Sequence, residues 1–202
     1  WDDDVDIGLP REDYEKFLQY AEQELEEPFE LQTVLNGKGV YHYYYARAVN
    51  HRLRIERSLS MTKVVMPVGI DVFPLDGVPE DERDFQRWKK KSNRYRKLFA
   101  LSQFQYFYTD GEVKGEKARA VRNLLKKCFI RFHIEDRMNT RKIWEKLDRS
   151  LKQYPLRDST RIINYCGYWS FKEMFPKSVY GEGALYPFEG LQLSGPKDAD
   201  YV

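Results

Sequence analysis

Hydrophobic and polar positions follow two different periods in the first part of the chain. Val5, Ile7 and Leu9 recur at every second position, which predicts a short strand over 5–9. From about Arg11 to Pro28 the apolar residues recur with the 3.6-residue period of an amphipathic helix. The inward-facing residues of this helix are Tyr14, Phe17, Leu18, Ala21 and Leu25.

Further strands are predicted over 29–35, around 53–55 and over 64–73. The segment 53–55 alternates as a half-buried strand does. The segment 64–73 is rich in valine and isoleucine, and it runs into the turn sequence PLDGVP over 74–79.

The pattern becomes helical in the middle of the chain. Helices are predicted over 80–107, 116–132 and 140–151, the last with Asn139 as its N-cap. After Pro155 the chain is rich in glycine, proline and aromatic residues, which predicts an irregular tail.

These elements predict an α+β fold with a mixed sheet core and a helical lobe. We expect one domain over 1–202. It would consist of a strand-rich core over 1–79, a helical lobe over 80–153 and a tail over 154–202 that packs on the core.

Composition narrows the function classes. The 202 residues carry a net charge of only +2, from 34 basic and 32 acidic side chains, which argues against a nucleic-acid binder. The two cysteines are far apart, and we expect free thiols in a cytoplasmic protein. No apolar run reaches the ~18 residues that a membrane span needs.

An aspartate cluster enters the first predicted strand. Asp4 and Asp6 would share one strand face, roughly 7 Å apart, with Asp2 next in line and Asp3 on the opposite face. Carboxylates on one face repel each other unless a cation lies between them or water screens them. The cluster therefore predicts a site for Mg²⁺ or Mn²⁺, and it leaves open a solvated acidic terminus.

Asp71 is a charged residue within the apolar segment VGIDVF over 68–73. A buried carboxylate is unfavourable unless it is paired or binds a metal. Asp71 is therefore either a third carboxylate of the metal site and a candidate catalytic base, or an aspartate capped by an arginine. An Asp-x-Asp on one strand with a single Asp on a later strand is the layout of polymerase-β-like nucleotidyltransferases, and it predicts phosphoryl transfer.

Three segments resemble the LicD phosphotransferase family, whose relatives include fukutin and fukutin-related protein. They are WDDDVDIGLPREDYEKFL (Trp1 to Leu18), GIDVFPLDGVP (Gly69 to Pro79) and FPKSVYGEGALYPFEGLQLSGPKDADY (Phe175 to Tyr201). The first two are highly specific together, and the third fits the family's C-terminal segment. The resemblance spans the chain, and the helical middle is its least diagnostic part.

The resemblance implies a nucleotidyltransferase fold that moves a phosphate-linked group from a CDP-activated donor to a glycan hydroxyl and releases CMP. Bacterial members are associated with phosphocholine transfer from CDP-choline to sugars of teichoic acid or lipopolysaccharide. Asp4 and Asp6 match the family's metal-binding Asp-x-Asp, and Asp71 matches the acidic residue of its second motif. The family usually has a donor-phosphate loop before the Trp-Asp motif and often a Tyr-Gly-Asp-Tyr-like element after its last motif. Neither is present in this sequence, so we expect a chain trimmed at both ends.

Two other functions stay open at this stage. One is ordinary nucleotidyl transfer, in which pyrophosphate leaves. The other is a catalytically silent module that binds a glycan or choline and has kept the fold.

Candidate contacts to the donor phosphates are Lys38, in a glycine-flanked turn, and Arg47, where the family often has lysine. His42 is a candidate contact to a phosphate or to the acceptor hydroxyl. The alternatives are surface charges for the two cations and simple packing for His42.

A choline group would bind against aromatic faces beside a carboxylate. The aromatic candidates are Tyr43, Tyr45, Tyr165, Tyr168, Trp169 and Tyr186. Of these we select Tyr165 and Trp169 as substrate-binding residues, with Glu189 as the counter-charge. Packing in the core or in a groove is the alternative for each aromatic residue.

One stretch of the predicted helix 80–107 is strongly basic. It contains Arg87, Lys89, Lys90, Lys91, Arg94, Arg96 and Lys97. This stretch is either a solvated helix face or a peripheral contact with an anionic membrane, where a lipid-linked glycan acceptor at the inner face would be reached.

Overall fold

The computed structural model describes residues 5–39, 42–59, 62–107 and 116–201. Eight strands lie in this part of the chain: Asp6–Pro10 (β1), Phe29–Gln32 (β2), Ala46–Ser58 (β3), Lys63–Gly77 (β4), Arg161–Ile163 (β5), Met174–Pro176 (β6), Ala184–Phe188 (β7) and Leu191–Gly195 (β8). The α-helices are Arg11–Glu24 (α1), Glu82–Leu101 (α2), Phe104–Phe107 (α3), Glu116–Arg131 (α4), Thr140–Leu151 (α5) and Lys177–Tyr180 (α6).

Strands β1 to β6 form one mixed sheet. Its order is β2-β3-β4-β5-β6, and β1 pairs with β4 outside this path. β1 runs parallel to β4, whereas β3 and β5 run antiparallel to it. β7 and β8 form a separate antiparallel hairpin. The chain is thus a mixed α and β structure with a largely antiparallel sheet, in which β4 is bonded to β1, β3 and β5.

Strand β4 is longer than the hydropathy pattern predicts. The turn predicted over 74–79 is wrong for 74–77, because β4 continues to Gly77. β1 pairs with β4 from Asp71 to Leu75, and β5 then pairs with Asp76 and Gly77. These tertiary hydrogen bonds outweigh the turn preference of the local proline and glycine.

The outer half of β3 also differs from its prediction. A strand is present around 53–55, but Leu53 and Ile55 are both exposed, so this half of β3 is not half-buried. The inner half of the strand is buried, with Ala46 and Val49 in the core.

The two faces of the sheet are covered by different helices. Val72 points to the face on which α1 packs through Tyr14 and Ala21, and the predicted stripe of α1 is confirmed. Phe73, the next residue, points to the opposite face. There it joins a second cluster with Trp88 of α2, and this cluster also contains residues of α5.

The helical middle is divided more finely than predicted. The segment 80–107 contains α2 and the short α3 rather than one helix. The predicted N-cap of α5 is confirmed, since the Asn139 side chain accepts a hydrogen bond of 2.9 Å from Lys142 N–H. Among the helices of the described ranges, none is long and apolar enough to cross a membrane.

The tail is more regular than predicted. The segment from 154 onward contains β5, β6 and the β7–β8 hairpin, so the prediction of an irregular tail is wrong there. β5 extends the main sheet, because Ile163 and Ile162 are register partners of Asp76 and Gly77. Strands of three residues are too short to show a period of two in the sequence.

A buried ion pair fixes the junction between β1 and α1. Arg11, the first residue of α1, donates from Nε and Nη2 to the two carboxylate oxygens of Asp76 at 2.7 and 2.6 Å. Arg11 Nη1 also donates to Asp148 of α5 at 3.0 Å. Asp76 is 1% exposed, so β1, β4 and α5 are tied together by charges shielded from water.

Candidate active site

Asp6, Asp71 and Arg47 lie side by side on three neighbouring strands. Asp6 is the register partner of Asp71 in the parallel β1–β4 pair. Arg47 is the register partner of Asp71 in the antiparallel β3–β4 pair. Neighbouring strands are about 4.8 Å apart, and side chains in register share a face of the sheet. The fold therefore brings two predicted carboxylates and one predicted cation into a single row, which we call the charged row.

Both carboxylate oxygens of Asp71 accept a hydrogen bond. Arg47 Nε donates to Oδ1 at 2.6 Å, and the Tyr45 hydroxyl donates to Oδ2 at 2.8 Å. This is the arginine-capped arrangement that was one of the two interpretations of Asp71. The side chain of Asp71 still keeps 23% exposure, whereas that of Arg47 keeps 8%. Within the described residues, Arg47 forms its ion pair with Asp71, and the Asp71 side chain remains partly accessible to solvent.

Two tyrosines hold the charged row in place. The Arg47 guanidinium lies over the ring of Tyr43 at 4.9 Å, and the ring of Tyr45 packs 4.3 Å from that of Phe73. Burial raises the pKa of Tyr45, and the Asp71 carboxylate adds to this rise, so the hydroxyl stays protonated and can donate. Arg47 Nη1 is buried and donates to none of the described residues.

The charged row contains the described part of the predicted metal site. Asp2 and Asp4 lie outside the described residues. Within the described ranges, His, Cys, Asp and Glu form no group of three or more that could hold a metal ion. Mg²⁺ is usually bound by one or two carboxylates together with waters and substrate phosphates. Asp6 and Asp71 therefore fit such an ion in number and in donor chemistry.

A cavity of about 820 Å³ opens beside the charged row. Asp6, Gly8 and Pro10 line it from β1, and Phe73 and Leu75 line it from β4. This volume lies within the range of small-molecule and cofactor sites. A Cβ atom on Gly8 would approach Leu75 Cδ1 to 3.1 Å, so the glycine keeps this side of the cavity open.

The tail supplies another part of the cavity wall. It includes Trp169, Lys172 and Glu173. The Trp169 ring is at the surface, with Trp169 60% exposed, and Lys172 Nζ lies 4.9 Å from its centroid. The ring of Tyr168, which is 86% exposed, meets that of Trp169 edge-on at 4.9 Å. The cavity thus has a carboxylate-bearing wall on the sheet and an aromatic, cationic wall in the tail.

Glu173 orders the loop that carries Trp169. Its Oε1 accepts the Trp169 N–H at 2.6 Å, and burial raises the pKa of Glu173. Gly167 makes room for this carboxylate, because a Cβ atom there would overlap it. Sequence reasoning missed Lys172 and Glu173, and the only available signal was a pair of opposite charges next to an aromatic run.

Tyr165 and His42 are placed away from the cavity. Tyr165 is 1% exposed, and its ring packs 5.1 Å from that of Phe171. His42 exchanges two hydrogen bonds with the Gln103 side chain through its own backbone, at 2.6 and 3.0 Å. Burial lowers the pKa of His42. Neither residue is among those that line the cavity.

Lys38 and Glu189 are also placed away from it. Lys38 pairs with Glu22 of α1 at 3.9 Å, and both side chains are exposed. Glu189 lies in the turn between β7 and β8 with a φ of 49°, and it is exposed. Tyr186, in the same hairpin, donates its hydroxyl to Pro196 O at 2.6 Å. Of the predicted substrate contacts, Trp169 is the one that lines the cavity, and Arg47 lies in the charged row beside it.

The chain is similar to a curated bacterial protein over nearly its whole length. This protein is the lipopolysaccharide cholinephosphotransferase LicD of Haemophilus influenzae, which is 22% identical over 200 residues. The alignment covers 96% of this chain and 68% of the relative. No protein-family profile matches the chain, and no solved structure matches it.

Proposed function

Because this chain is a distant member of the LicD family, we propose that it is a phosphotransferase that moves phosphocholine, or a similar phospho-alcohol, from a CDP-activated donor such as CDP-choline to a glycan hydroxyl. The observation that carries the proposal is the pairing of Asp6 with Asp71 on adjacent strands beside the cavity. The name of the relative, lipopolysaccharide cholinephosphotransferase, states both the transferred group and the lipopolysaccharide. The proposed fold is a nucleotidyltransferase fold, in which carboxylates on neighbouring strands of the sheet hold the metal.

The proposal includes a divalent cation, Mg²⁺ or Mn²⁺. Asp6 and Asp71 would hold it together with Asp4 and Asp2. Such an ion, when bound, neutralises negative charge on the donor phosphates. Each oxygen of Asp71 accepts one described hydrogen bond, from Arg47 or from Tyr45, and a carboxylate oxygen has two lone pairs. The Asp71 carboxylate is therefore held in one orientation, and a lone pair on each oxygen is left for a metal ion or another hydrogen bond.

The transfer step is a displacement at phosphorus. The acceptor oxygen forms a bond to the phosphorus that bears choline, and the bond from that phosphorus to the bridging oxygen breaks. CMP leaves with the bridging oxygen, and the proton of the acceptor hydroxyl passes to a carboxylate. We assign this proton to Asp71, because its side chain keeps 23% exposure and each of its oxygens accepts only one described hydrogen bond.

Trp169 is the proposed contact for choline. Its ring is exposed and belongs to the cavity wall. The Lys172 ammonium already lies over this ring, so the face is open to a cation. Glu173, in the same wall, takes the counter-charge role for which Glu189 was predicted. Lys172 would then turn toward a donor phosphate when choline occupies the ring face.

The test is an assay of CMP release. The protein is incubated with Mg²⁺, a lipopolysaccharide glycan and either CDP-choline or another CDP-alcohol, and nucleotides are separated by chromatography. We expect acceptor-dependent CMP release that falls by about 10² to 10⁴ fold in Asp71→Asn and Asp6→Asn. Asp13→Asn is the matched control, since Asp13 is an exposed partner of Lys16 on α1 and should leave the rate unchanged. Release of pyrophosphate, or a flat response to every donor, would contradict the proposal.

A further inference from the structure

Helix α4 exposes a continuous apolar stripe. Val121, Leu124 and Leu125 are 57%, 61% and 64% exposed, and Phe132, just beyond the helix, is 58% exposed. Phe132 N–H donates to Cys128 O at 3.0 Å, so the helical course continues to Phe132. At about 100° per residue, the four side chains fall within an arc of roughly 100° on the helix surface. We call these four residues the α4 stripe.

The α4 stripe is distinct from the side of α4 that contacts the rest of the protein. The ring of Phe129 lies 4.4 Å from that of Phe104 in α3, and Phe129 is half-buried. Phe129 lies about 40° beyond the Leu125 edge of the arc, and the four stripe residues stay exposed despite this contact. A contiguous patch of large apolar side chains on a protein surface marks an interaction site.

The charge of α4 identifies the partner. The helix contains six lysine and arginine residues and one glutamate. Lys127 and Arg131 are both exposed, and helical geometry places them beside the α4 stripe rather than within it. An apolar stripe bordered by cations is the pattern of helices that lie in a membrane interface. A second copy of this chain packed on the stripe would bring like charges such as Lys127 and Arg131 close to the same residues of the first, whereas anionic lipid offers the opposite charge.

The basic stretch of α2 lacks this combination. Its exposed cations are Arg87, Lys90, Lys91, Arg94 and Lys97. Lys89 lies over the ring of Phe171, and Arg96 donates to the backbone oxygen of Tyr165. α2 thus presents exposed charge beside one exposed large apolar residue, Leu101, whereas α4 presents charge beside a stripe of four.

We propose that α4 is a peripheral membrane-docking helix. It lies in the surface of an anionic bilayer, with the α4 stripe in the boundary between headgroups and acyl chains and with its cations at the headgroups. This docking is independent of the chemistry at the charged row. It would hold the cavity close to an acceptor glycan that is itself anchored in lipid.

Cosedimentation with lipid vesicles tests the proposal. The protein is mixed with vesicles of phosphatidylcholine, with and without phosphatidylglycerol, and the bound fraction is measured at low and high salt. We expect binding to the anionic vesicles that weakens as salt is raised. Leu124→Ser/Leu125→Ser should lower the affinity by about tenfold or more, because two exposed apolar side chains no longer enter the lipid. Lys127→Glu/Arg131→Glu should lower it on the anionic vesicles.

Two controls distinguish specific docking through α4 from nonspecific hydrophobic adsorption and from misfolding. Leu53→Ser removes a leucine of β3 that is 55% exposed, and it should leave vesicle binding unchanged. Thermal unfolding should be the same for every variant, since each altered side chain is exposed. The proposal is overturned by equal binding to both vesicle types, by no binding to either, or by binding that both α4 variants retain. A dimer of the free protein that Leu124→Ser/Leu125→Ser abolishes, without vesicle binding, would overturn it in favour of a second copy.

Discussion

Replacing Arg11 with methionine removes the cation that holds the junction of β1 and α1. The variant leaves the Asp76 carboxylate in place, 1% exposed and without its two guanidinium hydrogen bonds. Asp148 is affected less, because Lys152 Nζ remains 2.7 Å from its other oxygen. The perturbation therefore amounts to one unpaired carboxylate in the interior.

The expected loss of stability is that of breaking a buried ion pair. Removing one partner of a buried ion pair costs about 3–5 kcal/mol, and the pair here is bidentate. A loss of about 4 kcal/mol is a large part of the roughly 5–15 kcal/mol by which proteins are stable. With a urea m-value of about 3 kcal/mol per M, the unfolding midpoint should fall by about 1.3 M.

The loss should also depend on pH. Burial raises the pKa of Asp76, and the Arg11 guanidinium opposes that rise. Without Arg11, the pKa in the folded state moves further above its value in the unfolded chain. Between these two pKa values the folded variant holds a proton that the unfolded chain has released, so its stability increases as pH falls. The difference from wild type is therefore largest at neutral pH and smaller in mildly acidic buffer.

Urea unfolding followed by far-UV circular dichroism measures these effects. Lys16→Met is the control on the same helix, because Lys16 and its partner Asp13 are both exposed and water screens their interaction, so the unfolding midpoint should barely change. Arg11→Met/Asp76→Leu should recover most of the loss, since no buried charge is then left on Asp76. A loss below about 1 kcal/mol in Arg11→Met, or one that is equal at both pH values, would refute the reasoning.

Three further changes probe the site and the fold. Tyr45→Phe removes the donor to Asp71 Oδ2, and the rate of CMP release should fall about tenfold with little change in the thermal midpoint. Trp169→Ala should raise the KM for a choline-bearing donor by roughly tenfold at nearly constant kcat, whereas equal KM values in both proteins would exclude Trp169 as the choline contact. Asn139→Ala removes the cap of α5 and should lower the free energy of unfolding by about 1 kcal/mol, measured by urea denaturation.

The sequence predicted elements whose hydrophobic pattern or capping residue involves only residues close together in the chain. α1 begins at Arg11 because Pro10 precedes it, and its apolar stripe is three turns long. The N-cap at Asn139 was predicted for a similar reason, since the capping side chain and the amide it binds are three positions apart. Such features depend on neighbours in the sequence, and the sequence alone therefore contains them.

The ion-pair partners that lie far apart in the sequence were not predicted. The pairing of Arg11 with Asp76 joins residues 65 positions apart, and that of Arg47 with Asp71 joins residues 24 apart. Asp76 stands in a proline- and glycine-rich segment that resembles a turn, and β1 and β5 extend it into a strand. A hydropathy pattern does not show which distant residues pair. The sequence therefore could not decide whether Asp71 is a metal ligand or an aspartate capped by an arginine.

The walls of the cavity differ in how they can respond to a ligand. On the sheet side, Asp6 lies in a strand that is hydrogen-bonded to β4 and continues directly into the helix held by Arg11. On the tail side, the wall includes the loop around Trp169 and parts of the β7–β8 hairpin, with many exposed side chains. Segments with little buried surface open at a lower free energy than a paired strand with a buried ion pair. In the proposed transferase, a bulky acceptor would thus be admitted by displacement of the loop around Trp169 and the β7–β8 hairpin, while the spacing of the carboxylates stays constant. Acceptor preference could then change without altering the proposed chemistry.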